Sequence, residues 1–452
     1  MASSSPWLAL IRLKATPKSN IAPLNVAVIG AGWAGLAAAM AATQAGHSVS
    51  LFEASRSWGG RARSLNAVPP YPCLDNGQHI LIGAYEKTLA LMQTVGVRPE
   101  AVLWRLPLNL THLQGHGLKL KRWPVPFNLL WGIGTAKGWN AHDKWRLICK
   151  AIEWQWMGFR CDKHASVAML CQGITPTVWH DLIEPLCVSA LNTPAQEASG
   201  QVFLRVLKDA VFGRKGSSDL LLPRKDLGAL LPHATVQWLE AHGAQCNLGV
   251  RISKIERMNL SAQAGWKVND AFFDKIIIAT PAWDAAALIE PFNAAWSHTA
   301  AHIKHEAIAT VYVQAPANFA LPQPMLALSA GPEVPAQFVF DRGQICSAPA
   351  TPGLLAFVVS AVKIDKALLE LQVMRQAMDI CQSISHAKMD LKIVQTVVEK
   401  RATFACTPNL IRPDANPCEG LVVCGDYVAG PYPATLEGAV MSGLQAAQGL
   451  SP

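Results

Sequence analysis

The stretch Asn25-Val26-Ala27-Val28-Ile29-Gly30-Ala31-Gly32-Trp33-Ala34-Gly35 decides the fold. Its first five residues are short-run and apolar, as a strand buried on both faces of a parallel sheet must be. Small residues from 34 to 45 predict a helix, and Gly46 stands where its C-terminal turn favours a left-handed residue. Residues 48–53 read as a second strand that ends on Glu53. Gly30 permits a tight turn, Gly32 lets backbone N–H groups approach a pyrophosphate, and Gly35 lets the helix pack closely on the strand. The helix dipole then favours the phosphates. Glu53 falls where an acid grips ribose hydroxyls, which also disfavours the 2′-phosphate of NADP. Strand, turn, helix, strand and acid in this order specify a dinucleotide site.

The remaining composition sets the frame. A chain of 452 residues exceeds one ordinary core. Hydrophobic residues make up 51% and charged residues 15%, so a membrane span must be considered first. The longest apolar run, 26–42, contains Gly30, Gly32 and Gly35, and a nucleotide turn accounts for it better than a bilayer helix. The apolar excess then lines an interior cavity or faces a membrane surface. The net charge of +8 is scattered, which excludes a nucleic-acid module. It leaves docking on anionic lipid headgroups, aided by the tryptophans, or an ordinary basic surface. Eleven cysteines without a C-x-x-C pair exclude a disulfide framework and a structural zinc site, and no metal is expected. Reduced thiols fit a cytoplasmic protein.

The chain divides into interleaved parts. Residues 1–23 read as a disordered leader without a secretory apolar core. The dinucleotide domain takes 24–102, 230–290 and 396–452. A Trp-rich region at 103–229 reads as mainly helical, without strand-like alternation, and 291–395 as a sheet with a helix. The fold class is α/β: a Rossmann-like βαβ domain interleaved with a mixed α+β substrate domain. Helices are expected at 85–95, 230–243, 366–385 and 435–449. Strands are expected at 245–255, 273–279 and 421–425.

Which dinucleotide binds is decided by what surrounds this core. Gly59-Gly60-Arg61 brings backbone close to the cofactor and adds a guanidinium for the pyrophosphate. Near the other end, a strand runs into Gly425-Asp426, where a carboxylate can accept from a ribityl hydroxyl. The helix after Thr435 then presents its N-terminus to a flavin ring. These four elements resemble the FAD-dependent amine oxidase and carotenoid desaturase superfamily, from about residue 25 to 449. The cofactor, FAD, is then held by Gly30, Gly32, Ala34, Gly35, Glu53, Ala54, Gly60, Arg61, Gln78 and His79. Ile252, Gly425, Asp426, Thr435, Leu436 and Ala439 complete the set, with Ile252 lending backbone to the adenine.

Finer blocks narrow the resemblance. Asp75-Asn76-Gly77-Gln78-His79, Glu184-Pro185-Leu186-Cys187, Ala190-Leu191-Asn192-Thr193-Pro194, Ser218-Asp219 and the segment from Gly425 to Ala439 look like the hydroxysqualene dehydroxylase branch. What this implies is reductive removal of an allylic hydroxyl from hydroxysqualene, giving squalene for hopanoid synthesis while reduced FAD is oxidised. The chemistry needs a general acid, an apolar tunnel and aromatic faces for positive charge. At ~0.8 kcal/mol per CH₂, a substrate of roughly thirty carbons gains on the order of 20 kcal/mol by leaving water. It therefore resides in a bilayer, and the expected location is cytoplasmic and peripheral on the inner membrane. The sequence does not specify an oligomeric state.

Candidates for the acid are His79, Asp75 and Glu437, with Asp219 behind them. Each has a structural reading too: His79 in a glycine-rich loop, Asp75 as a turn cap, Glu437 in the first turn of its helix. Cys187 reads as packing. His302 and His305 read as a surface pair without a third metal ligand. Rival functions are an oxidative carotenoid-type desaturase, an amine oxidase, and a non-catalytic isoprenoid carrier. Amine oxidases of the superfamily place a lysine in the strand passing the flavin, and residues 307–313 carry none.

Overall fold

The computed structural model describes residues 22–65, 71, 74–260, 263–346 and 351–450, so the expected leader lies largely outside the described residues. The strand β1 (Asn25–Ile29), helix α1 (Trp33–Gln44) and strand β2 (Ser48–Glu53) form the predicted βαβ unit. With β3 (Gln245–Leu248), β4 (Lys275–Ile278) and β7 (Leu421–Val423) they give a parallel sheet in the order β7-β4-β1-β2-β3. Both faces of β1 are buried. Val26 and Val28 pack toward α1, Ala27 and Ile29 toward the opposite core, which is why the strand is apolar without alternation.

Helix α1 is buried nearly all round, and its alanines let α6 (Leu436–Gln448) lie close against it. A Cβ on Gly443 of α6 would overlap the Ala34 carbonyl. Sequence positions some 400 residues apart are thereby brought to one place.

The second sheet is antiparallel. Its strands lie in the order Met325–Ala327, Phe338–Asp341, Leu354–Ser360, β5 (His305–Gln314) and β6 (Lys392–Phe404). Alternation along β5 sends Val311 and Val313 toward helix α5 (Lys366–Ser385), whose Leu369 and Val373 cover that face. Tyr312, Phe338, Phe340 and Val358 point the other way, toward the cavity side. β6 runs from Lys392 to Phe404 within this sheet, across position 396, where the third segment of the dinucleotide domain is expected to begin.

Two other expectations change. The region 103–229 is largely helical, yet it contains strands at Leu103–Leu106, Asn109–Thr111, Gly117–Lys119 and Leu220–Pro223. These runs of three or four residues are too short to display a period of two. The returning strand also stops at Leu248, because Gly249 turns the chain at φ +76°. Ile252 follows in a loop, not in the strand.

Candidate active site

The three glycines of the turn after β1 have different surroundings. Gly30 sits at φ +106°, and a Cβ there would stand 2.6 Å from the Ala279 carbonyl oxygen. A Cβ on Gly35 would overlap the Gly30 carbonyl, so that residue seats the helix on the strand. Gly32 differs. A Cβ there would face the cavity with only the Cα of Gly60 nearby, at 3.9 Å. The space beside Gly32 is a cradle that a side chain would fill, and it fits a pyrophosphate on backbone N–H groups. At the end of β2, the Glu53 carboxylate accepts from the N–H groups of Ala31 and Ser55, each at 2.8 Å. This fixes the acid against the glycine turn.

The cavity has a volume of about 870 Å³. Every residue named above as a cofactor contact lines it except Gly35, which is spent on packing. Ile252 does so from its loop. Arg61 and Asp426, assigned to different parts of the cofactor, are joined to each other at 2.5 Å, and Arg61 also donates to the Ala402 carbonyl at 2.6 Å. Thr435 caps α6, accepting from Gly438 N–H at 3.1 Å, and the first turn of α6 opens on the cavity. Toward the other end the walls are apolar, with Leu110, Leu186, Val206, Met325 and Phe340.

The three acid candidates separate. Asp75 is buried and does not line the cavity. Its Oδ1 accepts from Leu227 N–H at 2.9 Å and its Oδ2 lies 3.8 Å from Arg342, so it fastens a loop. Burial raises its pKa to about 6, against the opposing pull of Arg342. A carboxyl whose folded pKa is raised gives stability that is present below its unfolded pKa near 4 and lost as pH rises through 6. Thermal denaturation between pH 4.5 and 7.5 should show wild type losing about 2 kcal/mol relative to Asp75→Asn over this range; parallel curves for the two proteins would refute the assignment.

Glu437 lines the cavity, but its carboxylate accepts from Lys87 N–H (2.8 Å), Thr88 N–H (2.9 Å) and the Thr88 hydroxyl (2.7 Å). It thus caps helix α2 (Glu86–Thr94), whose own N-cap, Tyr85, makes no side-chain cap hydrogen bond. That lack of a Ser, Thr, Asp or Asn before α2 is the sequence signal that an outside acceptor is needed. His79 lines the cavity too. Its Nδ1 lies 3.0 Å from the Gly77 carbonyl, which can only accept, so Nδ1 carries the proton. Burial lowers the pKa of the ring, and Nε2 is left without a proton to donate.

Sequence reasoning passed over a further polar cluster. Tyr432 Oη donates to Asp209 Oδ2 at 2.7 Å, Arg205 Nε donates to the same oxygen at 2.7 Å, and Arg205 Nη2 donates to Tyr432 Oη at 3.1 Å. Asp209 lies in a π-helical turn, Leu207–Val211, of the kind frequent at functional sites. Asp209 and Tyr432 both line the cavity. Tyr432 is three residues before Thr435, the cap of α6, which lines the same cavity. Burial first, and then the bond to Asp209, keep the phenol protonated above its ordinary range.

Other marked residues are structural. Cys187 is buried, and burial pushes its thiol far up. Asp219 pairs with Arg105 at 3.3 Å and Arg122 at 3.5 Å. His302 and His305 are not a surface pair: His302 is exposed, while His305 is half-buried against Trp283 at a ring distance of 5.3 Å. No cluster suited to a metal occurs among the described residues.

With this geometry in hand, the comparisons are consistent. The family model described as flavin containing amine oxidoreductase matches residues 33–451. A hydroxysqualene dehydroxylase of Zymomonas mobilis is 27% identical over 93% of this chain and 97% of its own. One from Sinorhizobium fredii is 26% identical over 94% and 98%. An oxidoreductase from Methanosarcina mazei superposes with a TM-score of 0.69 at 18% identity, covering 94% of this chain and 99% of the other. The chain belongs to the flavin-containing amine oxidoreductase family and is an FAD-dependent oxidoreductase.

Proposed function

We propose that the protein reductively removes the hydroxyl of hydroxysqualene to give squalene. The carrying observation is one cavity lined both by the glycine cradle and by apolar side chains, with Asp209 and Tyr432 of the Arg205–Asp209–Tyr432 cluster on its wall. Curated relatives bearing this activity match along almost the whole chain, which supports the reading. A bound, reduced FAD would supply the hydride. The chain supplies the rest. The Tyr432 hydroxyl turns its proton from Asp209 Oδ2 to the leaving hydroxyl, the carbon–oxygen bond breaks, and water departs from an allylic cation, while Arg205 Nη2 stays on the phenol oxygen. Apolar walls keep other water from capturing that cation. Arg205 and Asp209 hold the phenol in place, and the proton is restored through the exposed side of the cluster.

The amine oxidase reading is disfavoured by β5. Where it passes the cavity with Ile308 it carries Thr310, whose hydroxyl accepts from Gln78 N–H at 3.1 Å, and no lysine. A carrier that uses no flavin would have little need of the Gly32 cradle. Membrane association at the cytoplasmic face follows from where such a substrate resides; no helix among the described residues is long and apolar enough to cross a membrane.

The test is anaerobic. Protein reduced with dithionite and freed of excess reductant should regain oxidised-flavin absorbance on adding hydroxysqualene, forming one squalene per flavin. Persistence of the reduced spectrum, together with bleaching of the oxidised protein by squalene or phytoene, would replace this reading with a desaturase.

A further inference from the structure

We infer that helices α3 (Phe127–Thr135) and α4 (Ala141–Trp156) form a face that docks on an anionic lipid bilayer. The inference rests on the proposed substrate for its purpose, but its evidence is separate. Among the described residues, fourteen large hydrophobic side chains are exposed, and eight of them fall between residues 123 and 157. Such a concentration is a patch, not the scatter of single apolar residues that any surface carries.

Helical geometry gives the patch its shape. Along α4, Trp145, Cys149, Ile152 and Trp156 follow spacings of four, three and four, which place them on one stripe. Asp143, Leu147 and Trp154 occupy the opposite stripe and are buried. The helix therefore has two apolar faces, of which the protein covers one. Trp156 is 89% exposed and Trp145 63%. On α3 the same division appears, with Phe127, Leu130 and Trp131 outward and Leu129 and Ile133 inward. Lys144 donates to the Gly134 carbonyl at 2.8 Å, tying the start of α4 to α3.

The charge around the patch selects the partner. Residues 119–160 hold eight lysines and arginines against two acids; Asp143 is buried in a capping box, Glu153 pairs with Lys150 at 2.9 Å and Arg122 with Asp219 at 3.5 Å, and a positive excess remains. A second copy of the chain would set this positive field against itself. Anionic headgroups complement it, and tryptophans suit the interface between headgroups and acyl chains. Lys121 lies 3.7 Å from the Trp131 ring centroid, so cation and aromatic are presented together.

The patch also lies over the right part of the molecule. Gly132 of α3 packs on Leu118 and Leu120, and Leu118 pairs in register with Leu110, which lines the apolar end of the cavity. One hairpin separates the docking face from the chamber.

Flotation of the FAD-loaded protein with phosphatidylcholine vesicles, with and without phosphatidylglycerol, tests the inference. Wild type should float with the anionic vesicles and be released by high salt. The triple variant Phe127→Ser, Trp145→Ser, Trp156→Ser should lose binding by about tenfold or more, with flavin content and turnover of detergent-dispersed substrate unchanged. Lys121→Glu with Lys137→Glu should abolish the preference for anionic lipid while leaving the apolar stripe intact. Equal flotation of all variants, no flotation of wild type, or a wild-type dimer that the triple variant dissociates would overturn it. Vesicle binding needs no substrate, so a protein that floats but ignores hydroxysqualene would sink the proposed reaction and leave this face standing.

Discussion

Gly32→Val gives a folded protein without bound flavin. The expectation follows from the different surroundings of the glycines in one turn. A Cβ at Gly32 has only the Gly60 Cα within 4 Å, at 3.9 Å, and the side chain then extends into the cavity, so the apoprotein should lose little. It fills the space where backbone N–H groups would meet a pyrophosphate, and the loss of FAD affinity should reach at least about 100-fold, or roughly 3 kcal/mol. Gly35→Val is the contrasting case. Its Cβ overlaps the Gly30 carbonyl, so α1 must leave β1, and the penalty of overpacking, about 3 kcal/mol or more, consumes much of a stability near 5–15 kcal/mol. The measurements are absorbance of the purified protein and melting with and without added FAD. Saturating FAD at 100 times its Kd should raise wild-type stability by about 2.7 kcal/mol and leave Gly32→Val unmoved. A yellow Gly32→Val protein, or a Gly35→Val protein as stable as wild type, would remove the cradle from the account.

That prediction could be framed from sequence because the cradle is local. Gly30, Gly32, Gly35 and Glu53 act through backbone that lies within one βαβ unit, and their spacing carries the chemistry. Arg61, Asp426 and the α6 cap were legible one by one, as a guanidinium, a strand-end acid and a helix start. Their direct pairing was not, since it joins residues 365 apart. Glu437 shows the same limit more sharply. Its position predicted only a favourable first-turn charge, whereas the carboxylate is occupied by a second helix, through residues about 350 positions earlier. The short strands at 103–119 escaped because three or four residues cannot express a period. The cluster at Asp209 and Tyr432 escaped because its members share no motif and meet only after the insertion folds back over the chain's C-terminal segment.

Tyr432→Phe tests that cluster where its effect should be largest for the least structural change. The ring remains, and Asp209 keeps its bond from Arg205 Nε at 2.7 Å, so packing and FAD content should hold. Only the proton is removed. A positioned general acid contributes about 10²–10⁴-fold, and single-turnover reoxidation of the reduced flavin by hydroxysqualene should slow by that factor. Asp209→Asn leaves the phenol but weakens its orientation, and should fall between the two. The pH profile separates the tyrosine from His79. Burial lowers the pKa of His79 below 6.5, so donation from an imidazolium would fail as pH rises through that value. Tyr432 keeps its proton above pH 10, because burial and the bond to Asp209 both oppose ionisation. A wild-type rate that is flat from about pH 6 to 9 is therefore expected. If Tyr432→Phe turns over at the wild-type rate while His79→Ala, still holding FAD, does not, the proton comes from the histidine.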